Sequence, residues 1–381
     1  MAVNTKAFIK QGLSELVAIP SVSSINDIDD MSNIGVVDLL ADKFEGAGFR
    51  IETMLLDSAR EKKNLIARVG DGEGGLVLSG HTDTVPYNAE LWDSDPFVID
   101  ERDNRWYGLG AADMKCFFPI IEAAIAKIDL NGLSAPLTIV ATADEESTMN
   151  GARLFERKLG DFAVIGEPTS LNPIALHKGI MVGQITIVGR SGHSSMPHLG
   201  LNAIDVMHQL INELKIWREA LPQRFDNDAF ELPIPTMNFG RIEGGDSPNR
   251  ICASCALSFD VRLLPGMNIA DIEAELRDLV DQIIASSGAS GGLEMVIPPI
   301  AGMQTSEVSP VVRAACDLTG RAAKSVAFAT EGGFFNALGM QTVVCGAGAI
   351  EVAHQPNEYV PVADAIKMVA VVEGLIHRFC T

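Results

Sequence analysis

The chain has 381 residues, 47% apolar and 21% charged. That is the balance of a folded protein and excludes disordered, collagenous and low-complexity classes. Its 29 basic against 50 acidic side chains leave a formal charge of −21, a field that repels nucleic acid and anionic membrane surfaces and excludes both as partners.

Length sets an expectation of two or three domains at about 150 residues each. No apolar run is long enough to form a membrane-spanning helix. The first twenty residues carry Lys10 and Glu15 inside a helix-like pattern and lack the apolar core of a signal peptide. Six cysteines are too few for a disulfide scaffold, so the expected compartment is the cytoplasm.

In chain order, apolar spacing predicts helices over about 5–17 and 32–47. Short buried strands follow at 76–79, 137–141 and 162–165, with an Ala-rich helix at 116–128 between the first two. This alternation predicts an α/β catalytic domain with a mostly parallel sheet flanked by helices. The middle reads differently: strand 180–188, helix 202–221, strands 236–242 and 250–262, helix 268–285 and strand 292–297. The order βαββαβ predicts an inserted ferredoxin-like domain. After 300 the first style returns, with a helix at 309–319, a Gly-rich turn at 331–333, a strand at 342–345 and a last helix at 361–378. The expected organisation is therefore a catalytic domain in two segments, 1–179 and 299–381, around an insert at 180–298.

Three apolar runs end in acidic or imidazole residues: Gly80-His81-Thr82-Asp83, Asp144-Glu145-Glu146 and Gly166-Glu167-Pro168. Ligands of open parallel sheets bind at the carboxyl ends of the strands, and stability gives no reason for apolar strands to end repeatedly in carboxylates. In His81-x-Asp83 the two side chains share a face, so the carboxylate can orient the ring for a metal; a surface turn fits that pair equally well. Asp113, in Gly108-Leu109-Gly110-Ala111-Ala112-Asp113, precedes a helix, where an N-cap is the commoner role. The same stretch lacks the third glycine of a dinucleotide fingerprint. Adjacent Glu145 and Glu146 point apart, so one can bind a metal while the other acts as a base. His354, in His354-Gln355-Pro356-Asn357-Glu358, completes the set. His177, His198, His208 and His377 are expected at surfaces or helix faces. Cys252-x-x-Cys255 reads as two buried strand cysteines and not as half a zinc ribbon. A nitrogen and oxygen donor set without thiolate fits a hydrolytic zinc site, with cobalt or manganese as substitutes. Five ligands suit two ions if one carboxylate bridges.

Taken together, SGHTDTVP, GLGAADMK, ATADEES, GEPTSL, SGHSS with GLNAI, and AHQPNEYV resemble the dinuclear-zinc amidohydrolases of the M20 metallopeptidase family. They occur in the family's order over nearly the whole chain. HTDTVPYNAELWDSDPF, GGDSPNRICASC, Thr330-Glu331 and IHRFC are similar to the branch that deacetylates N2-acetyl-L-ornithine. The resemblance implies two Zn²⁺ per subunit, one on His81, Asp113 and Glu167, the other on Glu146, His354 and the bridging Asp113. It implies that Asp83 orients His81 and that Glu145 is the general base and then the proton donor. It further implies a homodimer joined through the inserted domain, with His193 reaching the partner's site. Asn249 and Arg262 would bind a small N-acyl amino acid, Arg262 as the carboxylate clamp, and Glu331 is the candidate for reading the cationic end of the substrate. One departure stands out: the family commonly has Gly after Asp-Met-Lys, whereas this chain has Cys116, which raises an expectation of oxidation sensitivity. The competing expectations are desuccinylation of N-succinyl-diaminopimelate, a broad N-acyl amino-acid hydrolase, and a metal-free binding scaffold.

Overall fold

The computed structural model describes residues 4–381. They pack as two compact units. The first comprises the chain up to Leu176 with Gln304–Lys324 and Thr330–Thr381; the second comprises His177–Met303 with Ser325–Ala329. The return of 325–329 to the second unit is marked by no composition shift in the sequence.

The first unit is built on a nine-stranded sheet. Eight strands follow one another as Arg50–Asp57, Lys62–Val69, Leu137–Thr142, Leu76–His81, Phe162–Ile165, Gln341–Val344, Ile174–His177 and Met303–Gln304. Only the four in the middle, Leu137–Thr142 through Gln341–Val344, are mutually parallel. Arg50–Asp57 and Lys62–Val69 join antiparallel, as does Ile174–His177. The sheet is thus mixed, with the expected parallel part at its centre. The antiparallel flank 50–69 was not anticipated, because its outer strand has no buried residue and carries no clean alternation.

Leu76–His81 and Leu137–Thr142 are buried along their whole length, as strands covered on both faces must be. One cover is Phe117–Ile125, a helix apolar almost all round, which packs against Thr5–Val17 and Val362–Cys380. It approaches closely because residue 166 is glycine: a Cβ there would lie 2.1 Å from Phe117 Cγ. The expected turn at 331–333 is instead the start of a short helix, Gly332–Ala337.

The second unit has the order βαββαβ and a four-stranded sheet, Thr236–Gly244, Ser254–Leu263, Gly179–Val188, Ser290–Met295. Every pairing is antiparallel. Buried and exposed positions alternate along Ser254–Leu263, the mark of a sheet with one covered face. Its two helices, Ala203–Ala220 and Ile269–Ser287, start on Asn202 and Asn268, whose side chains accept N–H groups of the first turn, the capping role expected of asparagine. Among the described residues no helix is long and apolar enough to cross a membrane.

Candidate metal centre

The parallel register brings three chain segments to one level. His81, the last residue of its strand, pairs with Thr142, and Ser79 pairs with Ile165. Glu145 and Glu146 follow just beyond Thr142, and Glu167 just beyond Ile165. Asp113 comes from the turn before Phe117–Ile125, joined to Met114 by a cis peptide bond. That helix takes Cys116 as its N-cap residue, so Asp113 is free of the capping role its position suggested.

The Asp113 carboxylate divides its oxygens between two rings. Oδ1 lies 2.9 Å from His81 Nε2 and Oδ2 lies 3.2 Å from His354 Nε2. Glu146 is 3.1 Å from the same nitrogen of His354, and Glu167 is 3.8 Å from His81 Nε2. Potential ligand atoms of His81, Glu145 and Glu167 lie within 4.8 Å of one another, as do those of His81, Asp113 and Glu146. All five expected ligands and Glu145 therefore meet at one place. His354 is the outward member, its side chain half exposed; the others are buried or nearly so.

So many buried carboxylates call for positive charge. Burial first, and the neighbouring acids second, push Glu145, Glu146 and Glu167 above the usual carboxylate range. Hydrogen bonds to Asp113 and Glu146 lift His354 to about 11. Burial opposes charge on His81, yet Asp113 and Glu167 raise its pKa well above the ordinary value. Burial likewise opposes charge on Asp113, but its bonds to His354 and His81 hold it low. The cluster draws cationic character from both imidazoles, and dications on the same nitrogen and oxygen donors would meet the same need. The donor chemistry thus fits divalent metal ions.

Asp83 orients His81 differently from expectation. Its main-chain carbonyl lies 2.9 Å from His81 Nδ1, whereas its carboxylate Oδ1 is 3.7 Å away, too far for a hydrogen bond. The other carboxylate oxygen accepts the Glu146 N–H at 3.1 Å.

Glu331 is only 1% exposed. Its Oε2 accepts a long bond of 3.4 Å from Ser79, and burial pushes its pKa up to about 7. His193, Asn249 and Arg262 belong to the second unit. His193 Nδ1 is 2.7 Å from Ser195 Oγ, Asn249 accepts from Ser247 at 2.6 Å, and Arg262 pairs with Asp260 at 3.0 Å.

Three residues shape the centre without having been assigned a role from the sequence. Glu358 is buried and accepts the main-chain N–H groups of Gly110, Ala112 and Asp113 at 3.1, 2.7 and 2.9 Å. It holds the turn that presents Asp113. Lys62 is fully buried between Asp30 and Asp144, at 2.8 and 3.1 Å. Ser23 donates to Asp144 at 3.1 Å. Lys62 and Ser23 anchor the bend at Asp144, whose φ of 58° turns the chain into Glu145 and Glu146. The lysine pair Lys62-Lys63 ahead of the apolar run Leu65-Ile66-Ala67 was the available signal.

One other expectation changes. His177 is fully buried and not at a surface; burial lowers its pKa to about 4, so the ring is neutral. Cys116 is also buried, and burial alone pushes its thiol up, which disfavours the reactive thiolate. Cys252 and Cys255 are buried as expected.

The model of "Peptidase family M20/M25/M40" matches residues 77–378. The chain is 43% identical over 374 residues to acetylornithine deacetylase of Pasteurella multocida (strain Pm70), covering 97% of this chain and 98% of that one. It is 44% identical over 368 residues to acetylornithine deacetylase of Edwardsiella ictaluri (strain 93-146), covering 96% of each. Among solved structures, aminopeptidase PepT of Bacillus cereus superposes with a TM-score of 0.76 at 18% identity, over 98% of each chain. A dinuclear metal-binding M20 peptidase of Bacillus subtilis gives 0.64 at 13% identity, over 98% of each chain. At those identities the likeness concerns the fold.

Proposed function

The chain belongs to peptidase family M20/M25/M40, and we propose that it hydrolyses the acetyl amide of N2-acetyl-L-ornithine to ornithine and acetate. The observation that carries this reading is the full-length similarity to acetylornithine deacetylases in a chain whose buried histidines and carboxylates converge at the strand ends.

We assign His81, Asp113 and Glu167 to one zinc ion and Asp113, Glu146 and His354 to a second, with cobalt or manganese as substitutes. The split of the Asp113 oxygens between the two rings supports the bridging role. When bound, such ions polarise an amide carbonyl and lower the pKa of water. Glu145 is the general base: it takes the proton of the attacking water and returns it to the departing α-amine. Its raised pKa suits a group that must both accept and donate a proton. Asp83 holds the His81 ring through its carbonyl, and Glu358 holds Asp113.

We further assign Arg262 to the substrate α-carboxylate and Asn249 to its polar surroundings. His193 of the partner subunit would stabilise the oxyanion, in a homodimer formed through the second unit. The reaction would serve arginine biosynthesis in the cytoplasm. Desuccinylation is the weaker reading, since a succinyl group needs a further cationic partner.

Release of amine from N2-acetyl-L-ornithine, N-succinyl-diaminopimelate and N-acetyl-methionine, with zinc or cobalt and with a chelator control, tests this. The expected result is chelator-sensitive hydrolysis that is fastest on acetylornithine. Preference for the succinyl compound would overturn the substrate assignment.

A further inference from the structure

A large cavity, about 850 Å³, lies away from the metal centre. Thr138 is among its lining residues and sits near the start of strand Leu137–Thr142. Glu145 follows the other end of that strand, roughly 13 Å along at about 3.3 Å per residue. Three arginines line the cavity, Arg50, Arg68 and Arg157, in a chain that is otherwise strongly acidic.

We propose that this cavity binds a small multivalent oxyanion, phosphate or a polycarboxylate, on Arg68 with Arg50 and Arg157 as flanking donors.

Arg68 is the central group. It is half-buried, and all its bonds go to neutral acceptors: Thr138 Oγ1 at 3.2 Å, the Leu159 carbonyl at 3.1 Å and the Gly72 carbonyl at 2.8 Å. Among the described residues no carboxylate forms an ion pair with it. A half-buried cation is normally paired. Burial first, then repulsion from Arg50 and Arg157, depress its pKa against a smaller opposing pull from Asp71. A bound anion would relieve the burial cost and both repulsions.

Of the carboxylates around the cavity, Glu52 pairs with Arg157 at 2.8 Å, Asp161 with Lys158 at 2.6 Å, and Asp71 with Arg50 at 3.2 Å; Glu73 also lines it. Arg50 and Arg157 are about two-thirds exposed, at 67% and 69%. Exposed pairs of this kind contribute little, so either guanidinium can turn to a multivalent anion at small cost. Planar guanidinium forks match phosphate and carboxylate geometry.

The alternative is that Arg68 serves only as a clasp for the turn at 70–74. Calorimetric titration of the metal-loaded protein with inorganic phosphate, and separately with citrate, at constant ionic strength distinguishes the two. A double variant, R50Q/R157Q, changes only exposed side chains and keeps the three Arg68 bonds, while losing the Arg50 bond to the Gly70 carbonyl at 2.9 Å; its melting temperature checks that it folds. The expected result is one saturable site whose affinity falls at least about tenfold in the double variant, the loss that follows from removing charged hydrogen bonds. The tighter of the two probes identifies the source of the oxyanion. Equal affinity in wild type and double variant would place the anion at the metals and overturn the proposal. Absence of saturable binding by either probe at millimolar concentration would overturn it as well.

Discussion

The two sheets of this molecule use the same alphabet for different ends. Leu76–His81 and Leu137–Thr142 are buried at every position, whereas Gly179–Val188 and Ser254–Leu263 alternate between buried and accessible. A strand covered on both faces has no room for charge along its length, so its chemistry is pushed to its end. His81, Glu145, Glu146 and Glu167 sit at or just beyond such ends. A strand with one open face can carry polar groups anywhere, and Arg262, on Ser254–Leu263, pairs with Asp260 two residues away on the same side. The first sheet concentrates function at a rim; the second distributes polarity over a surface.

This contrast can be broken by substitution, most sharply at the rim. Replacing Glu145 with Ala removes the proton carrier while leaving the ligands in place. The turnover number is expected to fall by about 10³-fold or more, within the range for general acid–base groups and above it if water activation also suffers. Metal content by atomic emission should stay at the wild-type level. A fall in metal content equal to the fall in rate would make Glu145 a ligand instead.

In the second unit the largest effect should fall on stability. Leu257 is 1% exposed on Ser254–Leu263, and Leu257→Ala should cost about 2–5 kcal/mol in urea unfolding, the cost of emptying a packed apolar site. Metal affinity should not move. A shift in metal affinity would show that the rim depends on the second sheet.

Glu358→Gln tests how the rim is positioned. The amide keeps the shape and weakens the acceptor of three main-chain N–H groups. Metal affinity, measured by competition with a chelator, should drop about 10–100-fold, as for groups that orient ligands. An unchanged affinity would mean that the turn holds Asp113 without it.

The smallest effect should come from the open face of the second sheet. Gln184 is exposed and lies opposite Ser258. Gln184→Ala should change stability by no more than about 0.5 kcal/mol, measured beside Leu257→Ala. A larger loss would mean that this face is covered in solution.

Much of the rim was legible beforehand because its signal is local. Apolar runs that stop at His81, Asp144 and Gly166-Glu167 are contiguous in the chain, and parallel strands in register bring contiguous signals to one level. The βαββαβ order was legible for the same reason, since alternation and 3.6-residue spacing are each read within a single element. What stayed hidden has no local mark. The edge strand Arg50–Asp57 has no buried residue, so its pattern resembles a loop. Glu358 carried no assigned role until its three N–H donors were seen some 245 residues away in the chain.

The amino-acid sequence by itself determined the class of the fold, the donor set and the strand ends that carry it, because patterning and residue chemistry act over a few neighbours. Only the tertiary structure decided which acid faces a ring and which faces the main chain, that Asp83 works through its carbonyl, and that Lys62 and Glu358 hold the loops. Those outcomes depend on burial and on distances between segments far apart in the chain, and neither quantity exists until the chain has folded.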